Sequence, residues 1–179
     1  MKERETVAIL GPSGIGKTSL LRILAGFETR FTGELTGSNQ LAYVFQEPTL
    51  LPWRSALTNL TLATRCSEDA AHEWLSAVGL ADKSAHFPGQ LSLGQQRRLA
   101  LARACAARPR LLLLDEPFVS LDEDLLDEMM DVFEDLRRRH QTTTVFVTHS
   151  RQEVTRLASR VVTLSGTPAT IASELSVAS

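Results

Sequence analysis

The stretch Gly11-Pro12-Ser13-Gly14-Ile15-Gly16-Lys17-Thr18 constrains this chain more than any other. It fits the pattern glycine, any four residues, glycine, lysine, serine or threonine at every fixed position. Its context fits as well. Thr6-Val7-Ala8-Ile9-Leu10 before it reads as a short buried strand. Ser19-Leu20-Leu21-Arg22-Ile23-Leu24-Ala25-Gly26 after it reads as a helix that ends on a glycine. Strand, glycine loop and helix in this order aim backbone N–H groups and a helix N-terminus at a phosphate chain. The glycines let the loop curl into a concave nest that Cβ atoms would block. Lys17 offers a compact positive charge to the β- and γ-phosphates, and the Thr18 hydroxyl suits a Mg2+ ion that travels with a nucleotide. A chance glycine turn before a lysine would leave the flanking strand and helix unexplained.

Composition narrows the class. A chain of 179 residues, 43% of them hydrophobic, fits one domain with a sizeable core. The net charge of −2 gives no footprint for nucleic acid. Cys66 and Cys105 stand far apart in no metal or redox spacing, which fits a reducing cytosol. Cys105 lies in the run Ala102-Arg103-Ala104-Cys105-Ala106-Ala107, where a small buried side chain is expected. The start, Met1-Lys2-Glu3-Arg4-Glu5, is charged and no apolar run follows it that is long enough for secretion or spanning. A membrane role is therefore expected to run through a partner.

Along the chain, residues 6–46 are expected to form strand, loop, helix, a short hairpin punctuated by Gly33 and Gly37, and a strand at Leu41-Ala42-Tyr43-Val44-Phe45. From Thr58 to about Arg108 the pattern is helical, with Gly79 capping one helix and Pro109 ending another. Leu111-Leu112-Leu113-Leu114 suits a strand buried on both faces of a parallel sheet. A helix is expected from Asp122 to His140, acidic first and basic last, in keeping with its dipole. Strands follow at residues 142–147 and 161–164. Alternating strands and helices give an α/β fold with a mostly parallel sheet.

Two further constellations carry chemistry. Asp115-Glu116 directly follows the leucine strand. An aspartate at the carboxyl end of a buried strand can reach Mg2+, and an adjacent glutamate can polarise an attacking water. Upstream, Leu91-Ser92-Leu93-Gly94-Gln95-Gln96 places a serine and a glycine at a helix N-terminus, a second anion site or an ordinary N-cap. His149 ends the run Thr144-Val145-Phe146-Val147-Thr148, whereas His72, His86 and His140 have no such context. Trp53 and Trp74 are expected to pack or to contact a partner.

Taken in order, residues 11–18, Gln46 after a strand, residues 91–95, Leu114-Asp115-Glu116-Pro117, Ser120-Leu121-Asp122 and His149 follow the arrangement of ATP-binding cassette ATPases. The chain resembles that family over nearly its whole length. Phe45-Gln46-Glu47-Pro48-Thr49-Leu50-Leu51-Pro52-Trp53-Arg54 looks most like the nitrate/sulfonate/taurine type of importer ATPase. Val161-Val162-Thr163-Leu164-Ser165 followed by Pro168 is similar to that group's C-terminal strand. The resemblance implies one nucleotide-binding domain over residues 1–179. Its P-loop NTPase (RecA-like) core would span 1–47 and 109–179, with an inserted helical subdomain at 48–108. It implies ATP and Mg2+ as ligands. Gly11, Pro12, Ser13, Gly14, Ile15, Gly16, Lys17, Thr18 and Ser19 would hold the phosphates, and Thr18, Gln46 and Asp115 the metal. Glu116 would be the general base, with Gln46, Lys17 and His149 acting on the attacking water and the γ-phosphate. Ser92, Gly94 and Gln95 would close over the nucleotide of a second copy, with Asp122 at that interface.

The resemblance also implies partners: a second ATPase subunit, most simply an identical one, transmembrane permease subunits and, indirectly, an external substrate-binding protein. The chain would then sit on the cytoplasmic face of the cell membrane. Two departures from the family pattern stand out. Leu93 stands where most family members carry a glycine beside the one kept at Gly94, which is expected to keep the flexible position. Only five residues precede Thr6 and no aromatic precedes Phe27, so the N-terminal β-structure and its adenine-stacking ring are expected to be shortened away. Stacking of that kind contributes about 1–3 kcal/mol. A truncated or regulatory nucleotide binder, or an ATPase of the same superfamily without a permease, remains open at this point. The long coiled coil of chromosome-type relatives is absent, and no nucleophile elbow supports a serine hydrolase.

Overall fold

Thr6-Val7-Ala8-Ile9-Leu10 carries apolar side chains to both faces of a strand, so it must be covered on both sides. It forms β1 (Thr6–Leu10), inside a six-stranded sheet. The computed structural model describes residues 1–37, 40–119, 121 and 123–177. The sheet order is β2 (Leu41–Val44), β3 (Leu111–Asp115), β4 (Thr143–Val147), β1, β5 (Arg160–Ser165) and β6 (Thr170–Ser176). β3, β4, β1 and β5 run parallel, with Leu113 beside Val145, Val7 beside Val145 and Ala8 beside Val161. This is the mostly parallel α/β sheet that the leucine run requires.

The helices are α1 (Lys17–Leu24), α2 (Ala56–Thr64), α3 (Glu68–Ala77), α4 (Leu93–Ala106), α5 (Glu123–His140) and α6 (Arg151–Leu157). Serines start four of them. Ser55, Ser67, Ser92 and Ser150 each accept a bond from an amide three residues on. Gly79, with φ 69°, ends α3 in the left-handed conformation that an L side chain resists.

Two compact units divide the chain. The sheet unit comprises Met1–Tyr43, Arg110–Pro117 and Gln141–Ser179; the helical unit comprises Val44–Pro109 and Phe118–His140. In the sheet unit, Leu21 of α1 packs on Ile9, Leu113, Val145, Val147 and Leu164. Burying each such side chain contributes about 1.5–3 kcal/mol. In the helical unit, Leu60, Leu75, Leu80 and Leu99 are wholly buried, and the Trp74 ring stacks on His140 at 4.6 Å between centroids. Cys105 is buried there, and burial pushes its thiol up to about 12.

Three elements differ from the sequence reading. The hairpin expected around Gly33 and Gly37 does not form among the described residues, and the segment is almost wholly exposed. Phe27, Phe31 and Leu35 recur every fourth residue with no apolar residue midway, too sparse a face to hold two strands without a sheet beneath them. Conversely, β6 pairs antiparallel with β5 although its sequence has no apolar run. Backbone bonds to β5 hold it, and its side chains stay exposed. The third concerns α5. The sequence alone places residues 109–179 with the sheet core, whereas α5 joins the helical unit and packs on α4. Its buried face, Met129, Met130, Phe133 and Leu136, announces that something covers it but not what.

Candidate functional site

Parallel strands bring their carboxyl ends to one edge. Ile9 of β1 and Asp115 of β3 both flank Val147 of β4 in register. The segments leaving these strands therefore emerge side by side: residues 11–16 after β1, Glu116 after β3, and Thr148-His149 after β4. Ligands of open α/β sheets bind at such an edge.

The loop after β1 is a nest. Gly14 and Gly16 adopt φ of 77° and 101°, and a Cβ built on either would meet nothing within 4 Å, so their outer side is open. No side chain caps the start of α1, which leaves its first amides facing that space. Lys17 is 5% exposed, and its ammonium donates to the carbonyls of Gly11 at 2.9 Å and Pro12 at 3.0 Å. A buried ammonium held by two neutral carbonyls is poorly compensated, and an anion in the nest would compensate it fully.

Thr18 is the next residue. Its hydroxyl donates to Asp115 Oδ1 at 2.9 Å, and the Tyr43 hydroxyl donates to Asp115 Oδ2, also at 2.9 Å. Burial, and then the Asp115 carboxylate, push the Tyr43 hydroxyl above the usual phenol range and keep it a donor. A hydroxyl and a buried carboxylate make a hard oxygen pair suited to Mg2+, and phosphate and water oxygens would complete an octahedron.

Glu116 sits at φ 47°, a left-handed backbone that is uncommon outside glycine, and its amide donates to Val147 O at 3.1 Å. This turn separates the direction of Glu116 from that of Asp115. Glu116 Oε1 lies 3.9 Å from His149 Nδ1, an ion pair whenever the imidazole is protonated. Glu153 of α6 is 5% exposed, and its Oε2 has no hydrogen-bond partner among the described residues. Burial raises its carboxyl above the ordinary value, a hydrogen bond from Thr148 opposes this, and the charges of His149 and Glu116 act in opposite directions on it.

The other expected site residues lie in the helical unit. Ser92 and Gln95 exchange bonds at the start of α4: Gln95 N donates to Ser92 Oγ at 3.2 Å, and Ser92 N donates to Gln95 Oε1 at 3.0 Å. The serine is thus an N-cap, with its hydroxyl proton still available to an acceptor. Leu93 is exposed at this helix start. Gly94 does not serve as a flexible residue. It is buried inside the first turn of α4, where a Cβ would lie 2.7 Å from Leu125 Cδ2 of α5. Close packing of the Leu125 side chain, not a special φ, is what favours a small residue there. Gln46 follows β2 and is exposed. Asp122 and Ser120 lie outside the described residues.

Reasoning from sequence missed Tyr43, Glu153 and Asn59. Tyr43 reads as an ordinary strand aromatic, and Glu153 as an ordinary first-turn acid of a helix. Asn59 is wholly buried in α2. It accepts from Leu51 N at 2.8 Å and donates to the carbonyls of Leu51, Arg54 and Ser55 at 3.0–3.1 Å. Arg103 of α4 adds bonds to Thr49 O at 3.0 Å and Thr49 Oγ1 at 3.3 Å. Residues 49–55 are thereby tied to α2 and α4, and Trp53 among them is 66% exposed.

Comparison with known proteins agrees with this geometry. A family model described as ABC transporter matches residues 1–119. An aliphatic sulfonates import ATP-binding protein of Pseudomonas syringae pv. tomato is 46% identical over 162 residues, covering 89% of this chain and 60% of the relative. One from Rhodococcus jostii is 43% identical over 166 residues, covering 89% and 68%. The chain thus spans about 60% of the length of the first of these curated relatives. Among solved structures, the dimeric post-hydrolysis state of the ATP-binding cassette MJ0796 bound to ADP and Pi superposes with a TM-score of 0.86 at 29% identity, covering 100% of this chain and 88% of that one. With a phosphate-type loop, a paired hydroxyl and carboxylate, and relatives of this identity and coverage, the chain belongs to the ABC transporter family, within its ATP-binding cassettes.

Proposed function

We propose that this chain is the ATP-binding and ATP-hydrolysing subunit of an importer, coupling nucleotide-driven dimer closure to solute passage through a membrane permease. The observation that carries the reading is Lys17: a buried ammonium resting on carbonyls of its own open loop, next to the Thr18–Asp115 pair. The similarity to aliphatic sulfonates import ATP-binding proteins supports an import role with an organic sulfonate as the solute class. The dimeric ATP-binding cassette structures support a second copy.

Lys17 exchanges the Gly11 and Pro12 carbonyls for phosphate oxygens, and the amides of Gly14, Gly16 and the first turn of α1 complete the cradle. A bound Mg2+ would supply charge neutralisation for the phosphates. Thr18 and Asp115 hold it, with Gln46 as a further ligand. Glu116 accepts the proton of the attacking water, and His149 donates to the γ-phosphate. Pro12, Ser13, Ile15 and Ser19 line the same loop. Ser92, Gly94 and Gln95 present the start of α4 to the nucleotide of the second copy, with Asp122 at that interface. The assembled protein works on the cytoplasmic face of the membrane, with an external binding protein delivering the solute to the permease.

The test is light scattering of Glu116→Gln with and without Mg·ATP. The variant keeps the cradle but lacks the base, so it is expected to shift from one chain to two on adding ATP. Binding without dimerisation would make the chain a regulatory nucleotide binder. No binding at all would end the ATPase reading.

A further inference from the structure

Asp115 is held from both sides. One oxygen accepts from Thr18, which also supplies a candidate metal ligand; the other accepts from Tyr43. The two bonds do different work. By donating its proton to Oδ1, Thr18 turns its own lone pairs away from the carboxylate and toward an incoming cation. That geometry survives only if the carboxylate does not rotate about its Cβ–Cγ bond. A carboxylate bonded on one side alone swings freely through a broad torsional well. Tyr43 closes that freedom.

Tyr43 is built to be a fixed post. It lies on β2, whose neighbour in the sheet is β3, the strand that ends on Asp115. Its ring packs against the cluster of Ile9, Leu21, Leu113, Val145, Val147 and Leu164. Phe27 contacts its other side, with ring centroids 5.4 Å apart. A phenol has two torsions to fix, and packing fixes both, so the hydroxyl meets Asp115 without further ordering cost.

We propose that Tyr43 is a positioning residue for the metal: its hydroxyl locks Asp115 so that the Thr18–Asp115 pair presents its oxygens to Mg2+ in one geometry. The proposal rests on the reading of Thr18 and Asp115 as metal ligands. Groups that orient a ligating carboxylate typically alter metal affinity by about 10- to 100-fold when removed.

The test uses Tyr43→Phe, which removes one oxygen and leaves the packed ring in place. Mn2+ serves as the probe, followed by electron paramagnetic resonance in the presence of a non-hydrolysable ATP analogue. Analogue affinity is measured in parallel in EDTA. The expected result is about tenfold weaker Mn2+ binding in the ternary complex, with affinity in EDTA unchanged. Tyr43 is the only tyrosine of the chain, so tyrosine labelled with 13C at Cζ gives one resonance. That resonance should move when Mg2+ joins the nucleotide complex of the wild type. Equal Mn2+ affinity in the two proteins would overturn the role of Tyr43 while leaving the metal site standing. A wild type whose nucleotide affinity is the same in Mn2+ and in EDTA would overturn the Thr18–Asp115 reading and this inference with it.

Discussion

The two units use several of their polar side chains differently. In the sheet unit, polar side chains at the strand ends face one another: Thr18, Tyr43 and Asp115 form a chain of bonds, and Glu116 faces His149. In the helical unit, three polar side chains bond the unit's own backbone. Asn59 holds residues 51–55, Arg103 holds Thr49, and Ser92 caps α4. The first arrangement can be rearranged by a ligand, because its bonds join groups that an ion or phosphate also satisfies. The second is harder to exchange, because the Leu51 amide and the Arg54 carbonyl are bonded through the Asn59 side chain itself. One unit is prepared to exchange contacts, and the other to keep a surface in shape.

Substitutions can break that contrast. The largest expected effect is from Asn59→Ala, which leaves the Leu51 amide and the Arg54 carbonyl without their side-chain partner and should cost about 3 kcal/mol in a denaturant melt. Nucleotide affinity of the folded fraction should be unchanged; a large loss of binding would mean that the units do not divide the work as described. Lys17→Ala should do the reverse. A fluorescent-nucleotide titration should show affinity falling by about 10- to 100-fold. The ligand-free protein should melt no earlier, since the ammonium removed is buried on neutral partners. Early melting would show that Lys17 supports the fold rather than the ligand.

Ser92→Ala sharpens the comparison further. Loss of the cap should cost about 1 kcal/mol of stability. If the hydroxyl also reaches a phosphate in the closed dimer, turnover should fall by more than tenfold at a temperature where the variant is fully folded. Turnover within twofold of wild type would leave the serine a cap and nothing more.

The smallest effect concerns pH. Glu153 has its folded pKa raised, chiefly by burial. As pH rises through the interval between the ordinary and the raised value, the unfolded chain releases this proton first, and stability falls. The penalty is complete above the raised value. Glu153→Gln has no proton to lose. Its melting temperature relative to wild type should therefore rise with pH across that interval, by an amount on the order of a few degrees. A difference independent of pH would show that the carboxyl is not the titrating group.

The positions of the glycine loop, Asp115-Glu116 and His149 at the ends of strands were legible in the chain because each is tied to a local element that its own residues determine: a loop needing positive φ, a strand of four leucines, a β-rich run. Strand β1 and helices α1, α3 and α4 were legible for the same reason, from apolar periodicity and serine or glycine caps. What local pattern leaves open is pairing. Residues 27–37 carry glycines like a hairpin but lack a sheet to lie on, and β6 lacks the pattern but gains a partner strand.

By itself, then, the sequence determined where a glycine loop with positive φ would sit and which strands must be buried. Those properties reside in side-chain size, charge and backbone permissiveness at single positions. Only the tertiary structure decided that Tyr43 meets Asp115, that Asn59 secures residues 51–55, that α5 belongs with the helices and that Gly94 yields space to Leu125. Each of these is a contact between positions separated along the chain. Hydrophobic burial is non-directional, and a residue's affinity for the interior does not name the neighbour it will find there.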